Sequence, residues 1–203
     1  MHRTVLSPLR ALGACALLAL AAGSVSAQLR VVPQVGLYAG ATQLPSANDA
    51  VEFGKREASL AYGLGVELGP WFRLSVLHAT DAEVPIEGVG CTECARSTVS
   101  AATATLVIRP LPTLVFVRPQ VLLGAGVRRY DFTRGDLEAE GLDAVLSDAT
   151  DLTGLFGIGA ELDLGLLRAT VELQDLVSRF DAEGVDSEFQ HDLFLTVGLV
   201  LGG

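Results

Sequence analysis

From Gln28 onward, apolar side chains recur at every second position in eight separate segments of about ten residues, a spacing that few folds can use. Period two sends successive side chains to opposite faces of a strand, whereas a helix would repeat near 3.6, and helical periodicity is weak along the whole chain. The clearest segment is 58–68, where Leu60, Tyr62, Leu64, Val66 and Leu68 alternate with Ala61, Gly63, Gly65 and Glu67. The same pattern predicts strands near 31–41, 71–80, 98–108, 114–129, 151–163, 167–178 and 190–201.

Two regularities of the set say more than any single strand. Connections alternate between short ones (after 68, 108 and 163) and long ones at about 42–57, 81–97, 131–150 and 179–189. An up-and-down meander with short turns at one rim and long loops at the other is the layout of a transmembrane barrel. The face opposite the apolar one carries Glu67, Arg73, Arg118, Arg128, Glu161 and Glu172, with Gln120, Gln174 and many glycines. A soluble sandwich or lipocalin-like barrel also alternates, so length and filling separate the two. Strands of about ten residues match a tilted bilayer crossing, whereas globular strands average about 5–6. An eight-stranded barrel has an interior just wide enough for side chains to fill, and paired ions among glycines suit that volume. The expected fold class is therefore all-β, an eight-stranded antiparallel up-and-down transmembrane β-barrel, with the six charged residues above facing its lumen. Pro119 forfeits a ladder bond inside the fifth segment and predicts a bulge there. Trp71, Phe72 and Phe116 are expected at the lower rim, and Phe53, Tyr130, Phe132, Phe180 and Phe189 at the upper.

As an architectural pattern over the whole of 28–203, the chain resembles the small outer-membrane barrels of the OmpA/OmpX type. The resemblance implies residence in a bacterial outer membrane, among its lipid and lipopolysaccharide. The last segment also resembles the signal read by the outer-membrane assembly machinery: Thr196, then Gly198, then outward Leu199 and Leu201. That signal usually ends in an aromatic residue, and this chain ends Leu201-Gly202-Gly203.

Export is expected from the first 27 residues. His2, Arg3 and Arg10 form a basic start, Ala11–Ala22 an apolar run too short to span a bilayer, and Ser24-Val25-Ser26-Ala27 a small-residue cleavage site. Cleavage after Ala27 leaves one barrel domain, 28–203. Residues 1–27 hold two of the 14 basic residues and none of the 24 acidic ones, so the remainder carries −12. That balance excludes nucleic acid as a partner, since no basic face exists to neutralise phosphates.

Few residues suggest chemistry. Cys91-Thr92-Glu93-Cys94, in the second long connection, reads first as a local disulfide between Cys91 and Cys94, with a redox pair or a metal site as alternatives; zinc needs two further ligands. Asp136, Glu138, Glu140 and Gly141 echo half of a calcium loop, but position twelve is Ser147 where a closing Glu belongs. Ser75 and His78 lie three apart, on opposite faces of one strand. His191 stands beside Asp192 near a loop holding Ser187, and reads as a solvated loop-edge histidine. No cofactor and no metal site is expected. The reading is a monomeric, non-enzymatic barrel with a filled lumen and acidic surface loops, its alternatives a small passive channel or a lipid A-modifying barrel enzyme.

Overall fold

The computed structural model describes residues 29–43, 52–84, 86–87, 95–111, 114, 116–134, 148–180 and 188–202. Residues 1–27, expected as a leader, Cys91 and Cys94, the acidic run 136–147 and Ser187 lie outside them. Eight strands, β1 (Leu29–Gly40), β2 (Ser59–Leu68), β3 (Phe72–Val84), β4 (Ala95–Ile108), β5 (Val117–Arg134), β6 (Ala149–Asp163), β7 (Arg168–Phe180) and β8 (Glu188–Val200), pair antiparallel with their neighbours in sequence. β1 then pairs with β8 and closes the barrel. Closure leaves no unpaired edge, which is what a sheet in lipid requires. Among the described residues there is no helix. Two short segments outside the barrel, Glu52–Phe53 and Ile86–Glu87, pair with each other.

The strands are tilted. A row of directly opposed residues that starts at Leu68, at the foot of β2, runs through Phe72, Leu106, Leu123, Phe156, Asp175 and Leu193 and arrives at Ala39, near the head of β1. Such a climb is the stagger that closes a small barrel. The inward wall is correspondingly tight. A Cβ on Gly126 would fall on the carbonyl of Ala102 in the neighbouring strand, so only glycine lets these backbones approach.

Burial follows the expected phase. Leu60, Tyr62 and Leu64 on β2, Val76 on β3, Phe156 and Ile158 on β6, and Leu195 and Val197 on β8 are exposed, while their alternates point inward. Two expectations change. β5 runs in unbroken register through Pro119, opposite Ala160, so there is no bulge at that residue. The pairing of β5 with β4 ends at Val121, which leaves Pro119 without a β4 partner on that side and makes its missing N–H tolerable. The bulge lies in β3 between Ala79 and Ala82, around Asp81 at φ 30°. Without it Asp81 would take the inward phase; with it Ala82 and Val84 are buried and Asp81 is exposed. Also, β3, β4 and β5 reach well into the segments expected as long loops. Past the lipid belt outward positions turn polar, as at Thr98, Arg129 and Asp131, so alternation fades while pairing continues.

Candidate functional site: a lumen divided in two

Inward-pointing polar side chains form two networks. The one near the short turns centres on Glu172 of β7 and Glu67 of β2. Arg73 reaches both: Nη1 donates to the two carboxylate oxygens of Glu172 at 2.7 and 2.8 Å, and Nη2 to Glu67 Oε1 at 2.7 Å. Glu172 also accepts from the amides of Gln120 at 2.7 Å, Gln174 at 2.8 Å and Gln34 at 3.3 Å. Arg30 bridges Glu67 and Glu161, the latter at 3.2 Å. Arg109, just past β4, turns back to reach Glu67 at 3.2 Å and Glu161 at 3.4 Å. Gly65 leaves the stem of Arg73 its room, since a Cβ there would stand 3.2 Å from Arg73 Cδ.

Nearer the long loops the hub is Asp192 of β8, fully buried. Its Oδ1 accepts from the Tyr38 hydroxyl at 2.7 Å and Arg56 Nη2 at 2.8 Å; its Oδ2 accepts from the Tyr130 hydroxyl at 2.5 Å and from Arg128. Both guanidiniums lie over the Tyr130 ring, at 4.4 Å for Arg128 and 4.9 Å for Arg56. Arg128 also donates to Ser178. Arg56 precedes β2 and folds down into the barrel mouth past Gly40, where a Cβ would come within 2.5 Å of its Nε. Burial opposes its charge, but Asp192, Tyr130 and Tyr38 outweigh that and hold its pKa above the ordinary guanidinium range.

Between the networks stands an apolar layer. On β5 and β7 a fully buried leucine (Leu122 and Leu176, respectively) separates a member of one network from a member of the other, and the fully buried Leu155 of β6 and Phe194 of β8 belong to the same apolar cluster. Leu77 of β3 and the Tyr38 ring, 5.1 Å from that of Phe194, join the same cluster. Ions are thus confined to the two ends of the lumen, where each finds partners that the apolar layer would deny it.

The structure places Glu67, Arg73, Glu161 and Glu172 in the first network and Arg128 in the second, all buried. Arg118 lies at the mouth, its side chain 41% exposed and 3.8 Å from Glu161. Sequence reasoning did not assign Arg30, Arg56, Arg109 or Asp192 to the lumen. Arg30 and Asp192 share the inward phase of Gln34 and Thr196, a signal that was present. Arg56 and Arg109 lie outside strands, where phase says nothing. Tyr130, expected at the upper rim, is fully buried in the lumen because it shares the phase of Arg128. Phe132 stacks beside it at 5.9 Å. Trp71, Phe116 and Phe189 are exposed; the side chains of Phe53 and Phe180 lie outside the described residues.

Ser75 points inward while His78 sits on the outer wall, where its Nδ1 is 2.9 Å from Ser100 Oγ and its ring 4.9 Å from that of Tyr62. His191 is also on the outer wall, paired through Nδ1 with Asp175 at 2.9 Å. Among the described residues no group of three or more His, Cys, Asp or Glu is arranged to hold a metal ion.

No protein-family model matches the chain, and no curated protein matches its sequence. Among solved structures it is similar to the outer membrane protein OprG from Pseudomonas aeruginosa, at 13% identity over 87% of this chain and 98% of that one, with a TM-score of 0.52. It is also similar to Neisserial surface protein A (12% identity, 86% and 97% covered, TM-score 0.47) and to the outer membrane protein AlkL in DMPC bilayers (17% identity, 90% and 94% covered, TM-score 0.46). At 13% identity the OprG likeness is one of fold. With its closed ring of eight antiparallel strands, apolar outside and polar within, the chain has the fold of the small eight-stranded outer-membrane β-barrels.

Proposed function

We propose that this protein is a monomeric outer-membrane barrel that plugs its own lumen and presents an acidic loop end for structural or surface-contact work. Exported behind a leader cleaved after Ala27, it is inserted by the outer-membrane assembly machinery and stands among phospholipid and lipopolysaccharide. The observation that supports a filled barrel over a channel is the layered lumen: two buried ion networks with Leu122, Leu155, Leu176 and Phe194 between them. A continuous water path would need both networks to open and the apolar layer to part. Recording from the refolded protein in planar bilayers tests this. The expected result is no steady conductance; steady single-channel steps overturn it. A cold and a boiled sample on the same gel should differ in mobility, as a closed barrel does.

A second reading, an enzyme acting on lipid A, has one observation in its favour: the Ser100–His78 pair on the outer wall. Among the described residues no carboxylate contacts that histidine to complete a charge-stabilised nucleophile. Release of acyl chains from labelled lipid A by the refolded protein, abolished in Ser100→Ala and retained in His191→Ala, would favour this reading.

A further inference from the structure

We propose that the three short turns are themselves a lipid-binding surface, seated in the headgroup boundary of the leaflet on their side of the membrane. The inference rests on the membrane reading above and adds where the barrel sits in the bilayer. Turns between strands are ordinarily built from Gly, Pro, Asn, Asp and Ser. Here they read Gly69-Pro70-Trp71, Leu164-Gly165-Leu166-Leu167, and a connection holding Leu111, Leu114 and Phe116. These apolar side chains do not fold back on the protein: Leu166 is 101% exposed and Trp71 58%.

Leu167 continues the outward column of Ala169 and Val171, and Trp71 stands exposed beside Phe72 at the foot of the column that holds Leu74 and Val76. At the other rim the columns end in polar groups: His78 on β3, Ser100 on β4, Arg129 on β5, Asp175 on β7 and His191 on β8. The outward columns therefore end in a polar collar at the loop end and, among the described residues, in apolar side chains at the turn end, where the exposed Asp163 and the half-exposed Arg118 lie on the inward phase.

On two strands the height of the column supports this asymmetry. A strand rises ~3.3 Å per residue, or roughly 2.5 Å along the barrel axis at a tilt of about 40°. The stretch from Trp71 to His78 then spans about 18 Å, and from Leu167 to Asp175 about 20 Å, short of the ~25 Å apolar band of such barrels. On β3 and β7 the exposed turn tips supply the missing height, whereas on β5 the column from Val117 to Arg129 spans about 30 Å by itself.

Irregular backbone tolerates that position only when its polar groups are tied off. Leu164 N–H donates to Leu167 O at 2.8 Å, Gly165 N–H to Asp163 at 3.1 Å, and Val107 N–H to Trp71 O at 2.8 Å. Leu114 and Val117 exchange two bonds at 2.8 and 2.9 Å, and Asp163 N–H donates to Phe116 O at 2.7 Å.

Trp71 is the only tryptophan, so fluorescence tests the proposal in the unaltered protein. The chain from Gln28 is refolded into phosphatidylcholine vesicles with iodide on both sides, or into vesicles of phosphatidylcholine brominated near the headgroup. Leu166→Trp and Leu195→Trp, each on Trp71→Phe, report a second turn and the mid-belt. Trp71 and L166W should be quenched by the bromines and shielded from iodide about threefold relative to free tryptophan, as for a group ~5–10 Å inside the boundary. If L195W responds to bromine while Trp71 and L166W respond to iodide alone, the turns stand in water and the proposal fails with the membrane reading intact. If L195W is also blind to bromine, the membrane reading itself falls. Turns shielded from both quenchers are covered by protein, which equally overturns a lipid site. A mobility shift on boiling shows that each variant has closed its barrel.

Discussion

Arg73 and Glu172 meet in a two-bond fork at 2.7 and 2.8 Å from strands that stand on opposite sides of the barrel, β3 and β7. The pair ties the wall together across its full width, with no solvent to screen it. Glu172 is also the shared acceptor for Gln34, Gln120 and Gln174, so its removal takes the acceptor from Arg73 Nη1 and three amides at once.

Glu172→Ala should therefore destabilise the barrel by about 3–5 kcal/mol, the cost of breaking a buried ion pair from one side. Arg73→Leu combined with Glu172→Leu should recover a substantial part of that loss, because no charge is then left without a partner. Urea titration followed by the heat-sensitive gel band measures both.

In the second network the two arginines are unequal. Among the described residues Arg56 Nε and Nη1 have no hydrogen-bond partner, so its burial is only partly compensated. Arg56→Ala should cost about 1–3 kcal/mol, a modest loss for a buried charged group. Asp192→Asn leaves Arg56 and Arg128 facing each other without their common carboxylate and should cost more, about 3–5 kcal/mol. The same urea titration ranks the two variants; an Arg56 variant worse than the Asp192 variant would refute this ordering.

The apolar layer predicts a separate effect. Phe194→Ala removes the ring that packs on Tyr38 at 5.1 Å and should cost about 3–5 kcal/mol through the cavity it leaves. Both ion networks remain closed, so planar-bilayer recordings should still show no steady conductance.

Glycines divide by wall. Gly126→Ala drives a methyl group into the Ala102 carbonyl and should prevent the heat-shifted band from forming or lower its urea midpoint strongly. Gly154→Ala, whose nearest neighbour is a Phe156 ring carbon at 3.6 Å, should change that midpoint by less than about 1 kcal/mol in stability terms.

Much of the lumen was readable from phase alone. Glu67, Glu161 and Arg128 share the parity of the glycines beside them, and Arg73 and Glu172 that of Ser75 and Gln174; that parity survives folding because a strand between lipid and a filled lumen has no third choice. The bulge was misplaced for a physical reason: proline marks a missing donor, not a change of register. What relocated Asp81 was the cost of burying a carboxylate among Ala79, Ala82 and Val84.

The sequence by itself determined eight strands, their two faces and the alternation of short and long connections, because each is written in a periodicity that neighbours along the chain can express. Only the tertiary structure decided which charges meet. Tilt and closure bring Arg73 to Glu172 and β1 to β8, and they draw Arg56 and Arg109 into the lumen from outside any strand. Those partnerships depend on distances across the barrel, which a one-dimensional pattern does not contain.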